Sequence, residues 1–183
     1  MTRLISPFAP GTSLESSPET LYNSAASATV VDTAIQQSII GAGPGSLRIP
    51  RNILTTGRML RCTAYGRMDT DAVPGLISFL AQLNGDTVAE SESFTPPAGY
   101  ANINWFINLL LTIYPNNEIR ALGGYQFHAI GGDPTSAMRA ADFFESGSPI
   151  DPTIQNPFDL QVQWELAKVA NTITCEIFIL ELI

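Results

Sequence analysis

His128 is the single histidine of the sequence and stands in the strand-like run YQFHA. A Ser–His–acid triad would need a nucleophile beside it, and a catalytic zinc site usually takes more than one histidine. No G-x-S-x-G elbow is present, so His128 reads as a packed or surface strand histidine. Asp69 and Asp71 could offer oxygens to Ca²⁺, which takes six to eight, but no further ligands follow at a loop spacing and the pair reads as a solvated turn. Asp142 and Glu145 would lie one helical turn apart if their segment were helical. Two carboxylates can serve a glycosidase, yet no aromatic sugar platform accompanies these and they read as surface acids. Gly41-x-Gly43-x-Gly45 resembles a phosphate loop in composition only. Such loops end on a helix N-terminus, whereas these glycines lead into Ser46–Pro50, an extended stretch closed by proline. Cys62 and Cys175 read as two buried free thiols. No catalytic group, metal site or cofactor is expected.

The densest charged feature is basic. Arg48, Arg51, Arg58, Arg61 and Arg67 fall close together in a chain whose net charge is −8. Residues 1–70 hold six basic groups against four acids, and residues 71–183 hold three against thirteen. Arginine is enriched in protein interfaces, so the cluster suggests either a solvated sheet face or a docking face for an acidic partner. Duplex nucleic acid needs a basic stripe to displace its counterions. A chain with Lys168 as its one lysine does not supply it, and nucleic acid is not an expected partner. Neither is a membrane. The longest apolar run, Trp105–Ile113, contains Asn108 and falls short of the roughly 20 residues that span a bilayer, and the amino terminus has no signal-like apolar run.

The elements that would carry these residues are strands. Leu60, Cys62, Ala64, Gly66 and Met68 alternate with Arg61, Thr63, Tyr65 and Arg67, a half-buried strand with arginines facing out. In 102–114, Ile103, Trp105, Ile107, Leu109, Leu111 and Ile113 alternate with a face bearing Asn102, Asn104, Phe106, Asn108, Leu110, Thr112 and Tyr114. Phe158, Leu160, Val162, Trp164 and Leu166 alternate with Asp159, Gln161, Gln163 and Glu165. The terminal run places Ile173, Cys175, Ile177, Ile179 and Ile183 on one face. Its other face, with Phe178, Leu180 and Leu182, is also apolar at the far end, so both sides are expected to be covered there. Weaker strands are predicted over 28–32, 36–40, 46–49, 75–83, 87–91 and 118–129, with Asn84-Gly85 as a hairpin turn. Ser136–Glu145, between Pro134 and Gly147, is predicted as a short helix or an irregular loop. Residues 1–20, rich in proline and serine, read as an extended N-terminal arm on a domain covering 21–183. Hydrophobic residues make up 45% and charged ones only 14%, against about 25% charged in ordinary domains. That excludes a disordered chain and, with the strand pattern, predicts an all-β antiparallel sandwich or barrel.

Five stretches add a family resemblance. They are Ser38–Gly41 with Gly43 (S-I-I-G-x-G), Ser46–Asn52 (S-L-x-I-P-x-N), Gly57–Arg61 (G-x-x-x-R), Asp159–Trp164 (D-L-x-V-Q-W) and Asn171–Phe178 (N-T-I-T-C-x-x-F). In this order and spacing the sequence resembles the small jelly-roll virion structural proteins of tailed bacteriophages, which include capsid decoration (cement) proteins and tail proteins. The resemblance implies an antiparallel jelly-roll β-sandwich, a homotrimer and no enzymatic activity.

The expected function is therefore a decoration protein on the outer surface of the capsid, synthesised in the host cytoplasm and binding the phage major capsid protein. The arm and Arg48, Arg51, Arg58, Arg61 and Arg67 are the expected capsid contacts. Phe106, Leu110, Tyr114, Phe178, Leu180 and Leu182 are the expected trimer contacts, unless a second sheet or loop of the same chain covers them. The alternative is a tail-fibre or baseplate domain that binds a host surface glycan, with Tyr100, Asn102, Asn116 and Asn117 as the residues available for it.

Overall fold

The structure, a computed structural model, describes residues 18–25, 28–40, 47–128, 140–145 and 149–183. The glycine run 41–45 and most of the expected arm lie outside these. The strands are β1 (Glu19–Ser24), β2 (Ala28–Val31), β3 (Gln37–Ser38), β4 (Leu47–Ile49), β5 (Met59–Asp69), β6 (Ile77–Leu83), β7 (Asp86–Ser91), β8 (Ile103–Ile113), β9 (Ile119–His128), β10 (Ala140–Glu145), β11 (Asn156–Trp164) and β12 (Thr172–Leu182). β1 begins at Glu19, so the last two residues of the expected arm already belong to the sheet. Among the described residues the one helical element is a 3₁₀ turn, Pro115–Asn117, and no helix is long and apolar enough to cross a membrane.

All pairings are antiparallel. The first sheet runs β1/β2, β12, β5, β8, β9, and the second runs β7, β6, β11, β3/β4. This is jelly-roll order, with the β9–β10 excursion inserted before β11. β10 joins the sheets: Ala140–Asp142 pair with β9, and Phe143–Glu145 pair with β7. The sandwich is thus closed along one long side and keeps edge strands on the other. Asn84 and Gly85, both at positive φ, make the β6–β7 hairpin. That is the two-residue geometry that favours an Asn-Gly pair.

The core lies between the sheets. Leu60, Cys62, Ala64 and Met68 of β5 and the odd residues Ile103–Ile113 of β8 are buried, facing Ile77, Phe79, Ala81 and Leu83 of β6 and Phe158, Leu160, Val162 and Trp164 of β11. Phe79 packs its ring against Trp105, Tyr125 and Phe127 of the opposite sheet.

Two expectations are corrected. The 140–145 half of the segment predicted as a helix is a strand, because pairing with both β9 and β7 outweighs local helix propensity; 136–139 lie outside the described residues. Asp142 and Glu145 therefore do not share a helical turn. Second, β12 changes parity midway. Cys175 pairs with Gly66 and Ile177 with Tyr65, which leaves Glu176 as an extra, bulged residue. Beyond the bulge Phe178, Leu180 and Leu182 point inward and are buried, Phe178 against Phe158, while Ile177 is 43% exposed. These three proposed trimer residues are core residues of a single chain. The polar face of β11 is covered over part of its length. Asp159 and Gln161 are buried there. Ser38 Oγ donates to Asp159 Oδ1 at 2.6 Å, and Gln161 Nε2 donates to Oδ2 at 2.8 Å. Burial raises the Asp159 carboxyl above its ordinary value, partly offset by these donors.

Candidate functional site: a groove across the first sheet

Cross-strand register, rather than any local motif, assembles the candidate site. On the outer face of the first sheet Ile177, Tyr65, Phe106 and Gln126 stand opposite one another in a row across β12, β5, β8 and β9. The next row carries Arg67 and Asn104. Paired residues in an antiparallel sheet project from the same face, and the residues between the rows, Gly66, Trp105 and Phe127, point inward. The space between the rows is a groove lined by Tyr65, Gly66, Asn104, Trp105, Phe106, Gln126, Phe127 and Glu176, with a volume of about 330 Å³. Small-ligand sites start at about 300 Å³.

Tyr65 and Phe106 form the apolar wall. Their ring centroids are 4.7 Å apart at 36°, and Tyr65 is 43% exposed on a sheet face. Asn104 and Gln126 bring amides, each both donor and acceptor. Glu176 reaches the groove because the bulge adds it to β12, and its Oε1 accepts from Arg67 Nε at 3.0 Å. Gly66 lets β12 and the Trp105 indole approach closely at the floor. A Cβ there would collide with the Thr174 carbonyl oxygen and crowd Trp105 Cζ2 at 2.7 Å. Trp105 Nε1 donates to the Arg67 carbonyl at 3.1 Å, which holds the indole under the groove.

The arginine cluster does not assemble. Arg61 and Arg67 are on this outer face and each has an acid, Glu181 at 2.6 Å and Glu176. Arg48 belongs to β4 in the second sheet, while Arg51 and Arg58 are exposed in the connection between β4 and β5. Of the proposed trimer residues, Phe106 and Leu110 are half-buried on the outer face as their parity requires, and Tyr114 lies beyond β8 under Arg120, 4.6 Å from ring to guanidinium. The residues first considered for a glycan do not converge. Tyr100 and Asn102 precede β8 while Asn116 and Asn117 follow it, and a strand of eleven residues rises about 3.4 Å per residue.

Several other ionisable groups have structural partners or are buried. Asp69 accepts from Asn102 N and Thr172 Oγ1, and Asp71 from Val73 N. His128 ends β9 opposite Asn104. Cys62 and Cys175 are free and buried. Burial pushes both thiols up, Cys175 to about 12, where a thiol is not a nucleophile. Among the described residues no group of three or more His, Cys, Asp and Glu side chains could hold a metal. On the second sheet Glu90 and Glu165 line a smaller cavity of about 230 Å³, where Glu165 already accepts from Leu76 N at 3.1 Å.

No protein-family model matches the chain, and no curated protein matches its sequence. Among solved structures it is distantly similar to the CBM2 module of the evolved Dit of Lactobacillus casei BL23 phage J-1, with 12% identity and a TM-score of 0.39 over 90% of this chain and 95% of that one. It is also similar to an engineered GH43 glycoside hydrolase with endo-xylanase and exo-arabinofuranosidase activity, with 10% identity and a TM-score of 0.30 over 84% of this chain and 37% of that one. The fold rests on its own strand pairing, not on these likenesses.

Sequence reading alone placed Tyr65 and Phe106 on the outward parity of their strands but did not join them. Tyr65 was the available signal: an aromatic residue between Thr63 and Arg67 on a face that is otherwise polar.

Proposed function

We propose that the chain is a non-enzymatic glycan-binding jelly-roll module of a bacteriophage virion protein, of the tail type rather than the capsid-decoration type. The observation that carries this reading is the Tyr65–Phe106 pair, open on a sheet face and flanked by Asn104, Gln126, Arg67 and Glu176. A sugar ring presents C–H groups on one face and hydroxyls at its edge. Aromatic rings take the first and amides or charged groups the second. The virion setting comes from the sequence resemblance. Against the decoration reading stand the burial of Phe178, Leu180 and Leu182 and the division of the arginines between the sheets. One observation keeps decoration as a second reading: Leu122, paired with Leu110 on the same outer face, is 73% exposed and would suit contact with further copies or with a capsid protein.

Binding to host cell envelopes and to undecorated capsids, measured side by side, tests the choice. Envelope and glycan-array binding that falls at least tenfold in Tyr65→Ala and Phe106→Ala, with Asn116→Ala unchanged, is the expected result. Saturable binding to capsids with none to envelopes would reject it in favour of decoration.

A further inference from the structure

We propose that the Arg67–Glu176 pair makes the groove selective for uncharged, hydroxyl-rich pyranoses over acidic and amino sugars; this rests on the glycan reading and names its ligand class. Glu176 is the residue that the β12 bulge adds. A bulge re-aims a side chain, and here it brings the one charged side chain among the described residues that line the groove. Its charge is met by Arg67 through Oε1 and Nε at 3.0 Å, with both side chains about half exposed. Oε2 and the terminal guanidinium nitrogens therefore stay within reach of a ligand.

The chemistry of that arrangement discriminates by charge. A sugar hydroxyl donates to the second carboxylate oxygen or accepts from a guanidinium N–H without breaking the pair, and two neighbouring hydroxyls can do both. A carboxylate or phosphate meets the Glu176 charge, and the Arg67 charge that would attract it is already offset. An ammonium group must compete with Arg67 for Glu176. Asn104 and Gln126, the other polar side chains among the described residues of the groove, are neutral amides that favour neither sign. The pair thus works against both charged classes at once, which is specificity by disfavouring competitors as well as by attraction.

The test uses the full chain at pH 8, where histidine is uncharged, with four probes: dextran, a neutral galactan, polygalacturonate and trimethylated chitosan, whose charge is fixed. The wild type is expected to bind a neutral polymer at least tenfold more tightly than either charged one. Glu176→Gln leaves Arg67 uncompensated and should gain about tenfold for polygalacturonate. Arg67→Gln should gain similarly for the cationic polymer. Both positions are exposed, so thermal unfolding should confirm that each variant is folded. Wild-type preference for a charged polymer, or charge variants that leave the ranking unchanged, would overturn the selector. If binding to those polymers still required Tyr65 and Phe106, the glycan reading would survive that failure. A wild type that binds no glycan, on the array or among the probes, would overturn both.

Discussion

The outer faces of the two sheets are built from similar residues and do different things. On the first sheet Asn104, Phe106, Asn108 and Leu110 alternate with core residues, and their face is open enough to hold a groove. On the second, Asp159 and Gln161 alternate with core residues in the same way. They are buried together with Ser78 and Leu80, and Asp159 is tied into a hydrogen-bonded cluster. Alternation reports that one side of a strand faces the core. It does not report whether the other side faces water. Only the three-dimensional neighbours separate a face available for recognition from one devoted to holding edge strand β3 against β11.

Substitutions should separate these roles, and the largest difference lies within β12. Phe178→Ala should cost about 4 kcal/mol of stability as a buried aromatic deletion. Ile177→Ala, on the exposed side of the bulge, should cost under about 1 kcal/mol, since exposed positions tolerate change. Equal losses in denaturant unfolding would mean that the bulge is misplaced. Next, Asp159→Ala leaves the Ser38 hydroxyl and the Gln161 amide without their acceptor and should cost about 2 kcal/mol. Asn104→Ala, on the open face, should change stability by less than about 0.5 kcal/mol while weakening glycan binding. A destabilising Asn104→Ala would erase the contrast. The smallest effect is one of pH. The folded Asp159 carboxyl titrates above its ordinary value, so the folded state holds that proton more tightly than the unfolded chain. Stability is therefore lost as pH rises from the ordinary carboxylate value through the folded one, and the loss is constant above it. The melting temperature of the wild type, measured relative to Asp159→Asn, should fall across that window. A difference that rises or stays flat would show that burial does not dominate at Asp159.

Much of the architecture was legible because period-two alternation is a direct consequence of strand geometry. β5, β8 and β11 follow from it, and the Asn84-Gly85 hairpin follows from turn chemistry. Three things were not legible. A bulge leaves no mark in an alternating sequence that is apolar on both faces, so Ile177 and Phe178 exchanged sides. β10 carries residues with fair helix propensity and owes its strand to two partners that both precede it by more than ten residues. The groove depends on register, because Tyr65, Phe106 and Gln126 come from three strands and meet only when those strands are paired. The loop residues Tyr100, Asn102, Asn116 and Asn117 had suitable chemistry, but β8 holds the two pairs apart at its opposite ends.

β12 joins what precedes and follows it in the first sheet: β1 and β2 lie on one flank and β5 on the other. It is also the last in chain order of the strands described. During synthesis β5 therefore waits with one row of backbone amides and carbonyls unmatched until more than a hundred further residues have been made. Contacts so distant along the chain close slowly, and an exposed strand edge in the interval invites pairing with other chains. Removing β12 would leave β1 and β2 without a partner and β5 with an open edge, and would delete the bulge that delivers Glu176, so a nascent chain stopped short of it lacks part of the sheet and part of the recognition surface together.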